Sequence, residues 1–153
     1  MGLLSRISRR RDPAVPELPP VPAMSDLPRA KLQSPARYLG TVTEDGEKVV
    51  GQTLSVQSSS RLHLSAEGLD VVRMAGSFRI PVPAMRGATT AAEFAGEPVE
   101  SLLVVRWEHA GEAWRTGFRL DRGKNLTSAG KAPDPGQWVR TISKMSRTSA
   151  RGK

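Results

Sequence analysis

A chain of 153 residues has room for one domain with segments to spare, and its 38% hydrophobic content is below the roughly 45–50% of an average globular domain. Having no cysteine, it forms no disulfide and no thiolate metal site, and it contains no apolar run near the ~18 residues of a membrane span. The net charge of +8 is unevenly spread: residues 1–35 carry six basic and three acidic side chains, residues 36–121 nine and eleven, and residues 122–153 eight and one. The middle is near neutral and the ends are basic. This predicts a folded domain over 36–145, a disordered basic and Pro-rich segment over 1–35, and a basic tail over 146–153.

In chain order, Leu3, Leu4 and Ile7 share one side of a short helical spacing, with Arg6, Arg9, Arg10 and Arg11 around and after them. A helix this short is marginal alone. The seven residues could instead form a weak contact with an anionic membrane surface. Position 6 is Arg, so the N-myristoylation pattern fails. From Asp12 to Pro35 the prolines at 13, 16, 19, 20, 22, 28 and 35 read as an extended linker.

The first strand is expected over Arg37–Thr43 with Tyr38 as an early anchor, followed by the acidic turn Glu44-Asp45-Gly46-Glu47. Lys48–Val56 fits either a helical turn or a strand, and Gly51 weakens both readings. Arg61–Ser65 alternates with Leu62 and Leu64 on one face. Leu69–Met74 returns after Glu67-Gly68. Ser77–Val82 then places Phe78, Ile80 and Val82 inward, and Pro81 marks an edge or a strand end. Ala88–Phe94 is a weak strand. Ser101–Leu120 holds two period-two runs joined at His109-Ala110-Gly111, the pattern of an antiparallel hairpin. It carries Trp107, Trp114 and Phe118. Parity points Trp114 inward, while Trp107 lies in a strand whose faces are both apolar.

A polar basic loop over 121–133 leads to a helix. Asp134 is its N-cap, Pro135 its first residue, and Gln137 sits three after the cap. Trp138, Ile142 and Met145 form one stripe, and residues 146–153 should fray. The predicted fold is mainly β: about seven short antiparallel strands covered by one amphipathic C-terminal α-helix, with Trp114, Phe118, Phe78, Ile80, Leu62 and Trp138 in the core.

Catalytic patterns are missing from the sequence. There is no P-loop, no nucleophile elbow and no dinucleotide-binding glycine pattern. His63 and His109 are the only histidines, and nothing in their spacing gathers carboxylates for a metal. Glu108 and Glu112 flank a hairpin turn, where solvated charges are ordinary. Arg106, Arg115 and Arg119 fall on the hairpin face opposite the core and form a candidate strip for an anion or a protein partner.

The segments Tyr38-Leu39-Gly40-Thr41, Arg79-Ile80-Pro81, Met85-Arg86-Gly87, Leu102-Leu103-Val104-Val105-Arg106-Trp107 and Thr116-Gly117-Phe118-Arg119 carry a family resemblance. In that order, over roughly 37–145, they resemble an actinobacterial family of small PH-like (pleckstrin-homology-like) domain proteins, some of them labelled transporters or export and membrane proteins. The resemblance implies a seven-stranded antiparallel barrel capped by one C-terminal α-helix. With the catalytic patterns missing, the expected function is a non-catalytic interaction module without cofactor or metal, docking a protein partner, with weak peripheral association at the inner face of the cell membrane through residues 1–11. The alternative is a nucleic-acid or ribosome-associated protein that binds through its basic tails. Either is expected to be cytoplasmic. Members of the family often carry an N-terminal membrane helix, where this chain has only Leu3, Leu4 and Ile7. Lipid-binding PH domains hold phosphates with a basic first loop. Here that loop is acidic, so the phosphoinositide site is not carried over.

Overall fold

The computed structural model describes residues 15–23, 26–121 and 134–151. Among the described residues nine strands precede one α-helix: β1 (Leu32–Thr43), β2 (Ser58–Ser65), β3 (Gly68–Arg73), β4 (Phe78–Pro81), β5 (Met85–Thr89), β6 (Glu93–Phe94), β7 (Glu97–Pro98), β8 (Leu102–His109), β9 (Glu112–Leu120) and α1 (Pro135–Arg151). Seven of them form an antiparallel sheet in the order β4-β3-β2-β1-β9-β8-β5, while β6 and β7 pair as a separate ribbon.

The sheet curls until its halves face each other. Phe78 of β4 stacks on Trp107 of β8 at 5.9 Å between ring centroids, although four strands separate β4 from β8 in the sheet order. Two glycine bulges accompany the curl. The register of β1 shifts at Gly40 (φ +124°) and that of β5 at Gly87 (φ +137°), in a region of backbone space that other residues rarely adopt. The expected barrel is therefore an open one. Edges β4 and β5 are not hydrogen-bonded to each other, and the 3-10 turn Val82–Ala84 links them across the open corner. Helix α1 packs on β5 and on that turn.

All six expected core residues are buried, and Trp107 joins them. The helix starts where its cap signals placed it, with the amide N–H of Gln137 donating to Asp134 Oδ1 at 2.8 Å. Trp138 and Ile142 enter the core, and Met145 is half-buried.

Several boundaries differ from expectation. Strand β1 begins at Leu32, inside the stretch read as linker, with Leu32, Ser34, Ala36 and Tyr38 buried on alternate positions. Pro35 is tolerated in this central strand because pairing with β9 starts only at Ala36. Residues 15–23 and 26–31 of the Pro-rich stretch also lie on the domain. Arg79 N–H donates to Pro19 O at 2.9 Å, His63 Nε2 bonds Pro28 O at 2.7 Å, His109 Nε2 bonds Pro16 O at 3.1 Å, and Val15 and Leu18 pack on the core. Its carbonyls satisfy groups of the β4 edge and of both histidines, which composition alone does not reveal. Residues 48–56 are neither helix nor strand. They are a turn with Gln52 and Thr53 at positive φ, pinning Leu54 into the core. The weak strand lies at Met85–Thr89, not Ala88–Phe94, and Phe94 belongs to the β6–β7 ribbon. Val82 is half-buried in the 3-10 turn instead of pointing inward from a strand. Helix α1 continues to Arg151, so much of the expected tail is helical.

A chain of hydrogen bonds crosses the core. Trp107 Nε1 donates to Thr116 Oγ1 (2.9 Å), Thr116 and Thr41 hydroxyls share a bond (2.8 Å), Thr41 and Tyr38 hydroxyls share another (2.7 Å), and Tyr38 Oη donates to Leu54 O (2.6 Å). An indole N–H can only donate and a carbonyl can only accept, so every hydroxyl between them points the same way. Arg73 closes this end of the core. Its guanidinium lies 4.3 Å from the Tyr38 ring centre and donates to Gly76 O, Thr53 O, Val56 O and Thr53 Oγ1. Burial pushes the Arg73 pKa down, partly offset by Tyr38.

Burial also pushes the Tyr38 phenol up to about 12, against the opposing influence of the Thr41 hydrogen bond and the Arg73 charge. The folded state then holds this proton more tightly than the unfolded chain does, whose tyrosine titrates near 10. Stability from Tyr38 is complete below pH ~10 and is lost as pH rises towards ~12, amounting to roughly 3 kcal/mol at about 1.4 kcal/mol per pH unit. Urea unfolding across this alkaline range should show the decline, and it should be shallower in Tyr38→Phe. Equal slopes in the two proteins would refute the assignment.

Candidate functional site

The arginine strip expected from the sequence is only partly assembled. Arg106 and Arg115 sit directly opposite each other across β8 and β9. Arg119 is cut off from them. Between Arg115 and Arg119 on the outer face of β9 lies Gly117, covered by the Phe94 ring so closely that a Cβ there would meet the ring at 2.8 Å. Phe94 is buried with Val42, Leu102 and Val104 in a second small core under the β6–β7 ribbon. Arg119 instead faces Arg37 across the β1–β9 pairing.

The three arginines also differ in freedom. Arg115 is half-buried, with Nη2 donating to the carbonyls of Thr43 and Glu44 at 3.3 and 3.2 Å, so it ties the first loop to β9. Arg106 and Arg119 are exposed. Leu3, Leu4, Arg6, Ile7, Arg9, Arg10 and Arg11, the expected membrane contact, lie outside the described residues.

A better-formed site lies along α1. A groove of about 700 Å³ runs between the helix, the β2–β3 turn and the 3-10 turn. That volume falls within the ~300–1,000 Å³ of ordinary ligand sites. Its apolar lining comes from Ala66, Val82, Pro83 and Met145. Its cations are Lys31 from the segment before β1 and Arg140 and Lys144 from successive turns of the helix. The groove lining includes no acidic side chain, and none of these three cations forms an ion pair among the described residues.

Local sequence explains the arrangement. The buried stripe Trp138/Ile142 fixes the helix rotation, which leaves Arg140, Lys144 and Thr148 together on an outward side. Two cations four residues apart cost a little helix stability. No acid between Pro135 and Arg151 offsets them.

Sequence reasoning missed this groove because its walls come from four separated places. Lys31 stood in a presumed linker, and Arg140 and Lys144 were counted with the charge of a tail. The legible signal was the helix itself, which is basic and acid-free with an apolar Met145 beside its buried stripe. Among the described residues, no cluster of His, Asp and Glu could hold a metal ion. Of the Glu108/Glu112 pair beside the hairpin turn, Glu108 is bonded to Arg86 at 3.1 Å.

Seven antiparallel strands followed by a C-terminal helix laid on the sheet are what the family resemblance implied, and the open corner is where the structure departs from the closed barrel. A family model described as Bacterial PH domain-like matches residues 15–132. The chain belongs to this bacterial PH domain-like family. The match begins at Val15, which packs on the core, and so takes residues 15–35 as part of the domain. No curated protein matches the chain. Within this PH-like domain, α1 and the cations it contributes to the groove lie beyond the matched residues, so the groove is read here from the chain's own geometry. No helix among the described residues is long and apolar enough to cross a membrane.

Proposed function

We propose that this PH-like domain is a non-catalytic interaction module that docks a protein partner, and that the contact is the groove beside α1. The observation that carries the reading is the shape and chemistry of that groove: a concave lining of Ala66, Val82, Pro83 and Met145 edged by cations. Concavity favours an inserted segment over a flat bilayer surface. The lining has no aromatic ring for bases to stack on, which disfavours a single-stranded nucleic acid. Weak peripheral membrane contact through residues 1–11 is compatible with docking, because it uses a different part of the chain.

Site-specific photo-crosslinking in the native cell tests the proposal. A photoreactive residue replaces Thr148, on the groove wall, or Arg61, exposed on β2 away from it. Position 148 should yield discrete protein adducts that position 61 does not, and Met145→Glu should remove them. Adducts to lipid or nucleic acid alone, or the same adducts from both positions, would refute docking through this groove.

A further inference from the structure

We infer that the segment received by the groove is acidic, with carboxylates alternating with or flanking apolar side chains. This rests on the docking reading above and adds the chemistry of the partner. Lys31, Arg140 and Lys144 come from two separate parts of the chain, and all three stand at one apolar trough with no ion pair among the described residues. Some cations elsewhere on the domain are matched, while others such as Arg106 form no ion pair among the described residues; what sets these three apart is that they converge on one apolar trough. Arg79 has Asp70 and Glu67, and Arg86 has Glu108. Arg73 is instead satisfied by carbonyls. The groove thus pairs two recognitions: apolar side chains fill the trough past Met145 and Val82, and carboxylates meet the cations at its margin.

Charge at a rim governs encounter and selectivity more than total affinity. The expected result is therefore a salt-sensitive preference and not very tight binding. Among the sources of negative charge, a peptide fits best. A phosphate backbone would leave the apolar lining uncovered, and a flat bilayer surface follows a concave trough less closely than a peptide does.

The probes are three labelled synthetic peptides of equal length, alternating Leu and Val with Glu, with Gln, or with Lys, measured by fluorescence anisotropy against the full chain. With rim pairs each contributing up to about 1 kcal/mol, the Glu peptide should bind about tenfold tighter than the Gln peptide at low salt, and the difference should shrink as salt rises. The Lys peptide should bind weakest. In Arg140→Glu/Lys144→Glu the order of Glu and Lys peptides should reverse. Both positions are exposed, so the fold should persist, and Arg140→Gln/Lys144→Gln, expected to abolish the preference without reversing it, guards against misfolding of the first variant.

Glu and Gln peptides binding equally, both lost in Met145→Glu, would overturn the acidic partner and leave docking in place. A Glu preference that survives the double charge reversal would place the contact elsewhere on this basic chain and overturn the inference. No peptide binding, together with charge-dependent capture of phosphatidylserine vesicles, would make the membrane the occupant and overturn both readings. No peptide binding, together with self-association that the charge reversal abolishes, would make a second copy of this chain the occupant and overturn the inference of an alternating acidic–apolar peptide from another protein.

Discussion

Replacing Trp138 with alanine is expected to destabilise the domain by about 3–5 kcal/mol in urea unfolding, the range for emptying a buried large aromatic site. Trp138 is fully buried in the main core and lies one helical turn before Ile142, which is also fully buried. Together they hold α1 over β5 and the 3-10 turn that spans the open corner of the sheet. Trp138 Nε1 is buried without a hydrogen-bond partner among the described residues. Leaving that donor unmet costs about 1–3 kcal/mol, which Trp138→Phe would shed while filling most of the site. The phenylalanine variant should therefore lose clearly less stability than the alanine variant. A loss below about 1 kcal/mol for Trp138→Ala would mean that the helix does not cover this core. The groove depends on the same anchor, because one of its walls is α1. Loss of Glu-peptide preference in Trp138→Ala, without any change at Arg140 or Lys144, is the expected functional echo.

What was legible in the sequence followed from strict periodicity. Leu62 and Leu64 in β2, Trp114 and Phe118 in β9 and the Trp138/Ile142 stripe of the helix are buried where periodicity placed them, whereas β8 is buried on both faces from Leu102 to Val105, so parity alone did not place Trp107. What was illegible involved residues whose partners are distant in the chain. Nothing near Pro16, Pro19 or Pro28 announces that their carbonyls meet His109, Arg79 and His63, so proline content was read as linker. Gly40 and Gly87 gave no local hint that they bulge, and those bulges move the strand boundaries. Phe94 looked like the end of a strand, yet it folds over Gly117 and splits the arginine strip. The cations of α1 were visible as charge. Their convergence with Lys31 on an apolar trough depends on the tertiary path of residues 26–31, which no pattern in those residues encodes.

The β4 edge depends on a comparable long-range arrangement, and Arg79→Met is expected to cost about 3–5 kcal/mol, the penalty for removing one partner of a buried ion pair. Arg79 grips Asp70 with two donors, Nε at 2.6 Å and Nη2 at 3.0 Å, and the Asp70 side chain is 0% exposed. The Asp70 hydrogen bond, more than any other influence, holds the Arg79 guanidinium above its ordinary pKa. The third contact, Nη1 to Glu67 at 3.0 Å, reaches a carboxylate that is 61% exposed, so Glu67→Gln should cost at most about 1 kcal/mol. The asymmetry arises because water can replace Arg79 at Glu67 but cannot reach Asp70. If the penalty is the stranded carboxylate and not lost packing, neutralising it should restore stability. Asp70→Asn/Arg79→Met should then be more stable than Arg79→Met alone, and the two substitutions should fail to add. Because the amide of Arg79 also bonds Pro19 O, the single variant should expose the Pro-rich segment to limited proteolysis while the double variant should not. A double variant no more stable than Arg79→Met would show that Asp70 finds other compensation when its arginine is lost.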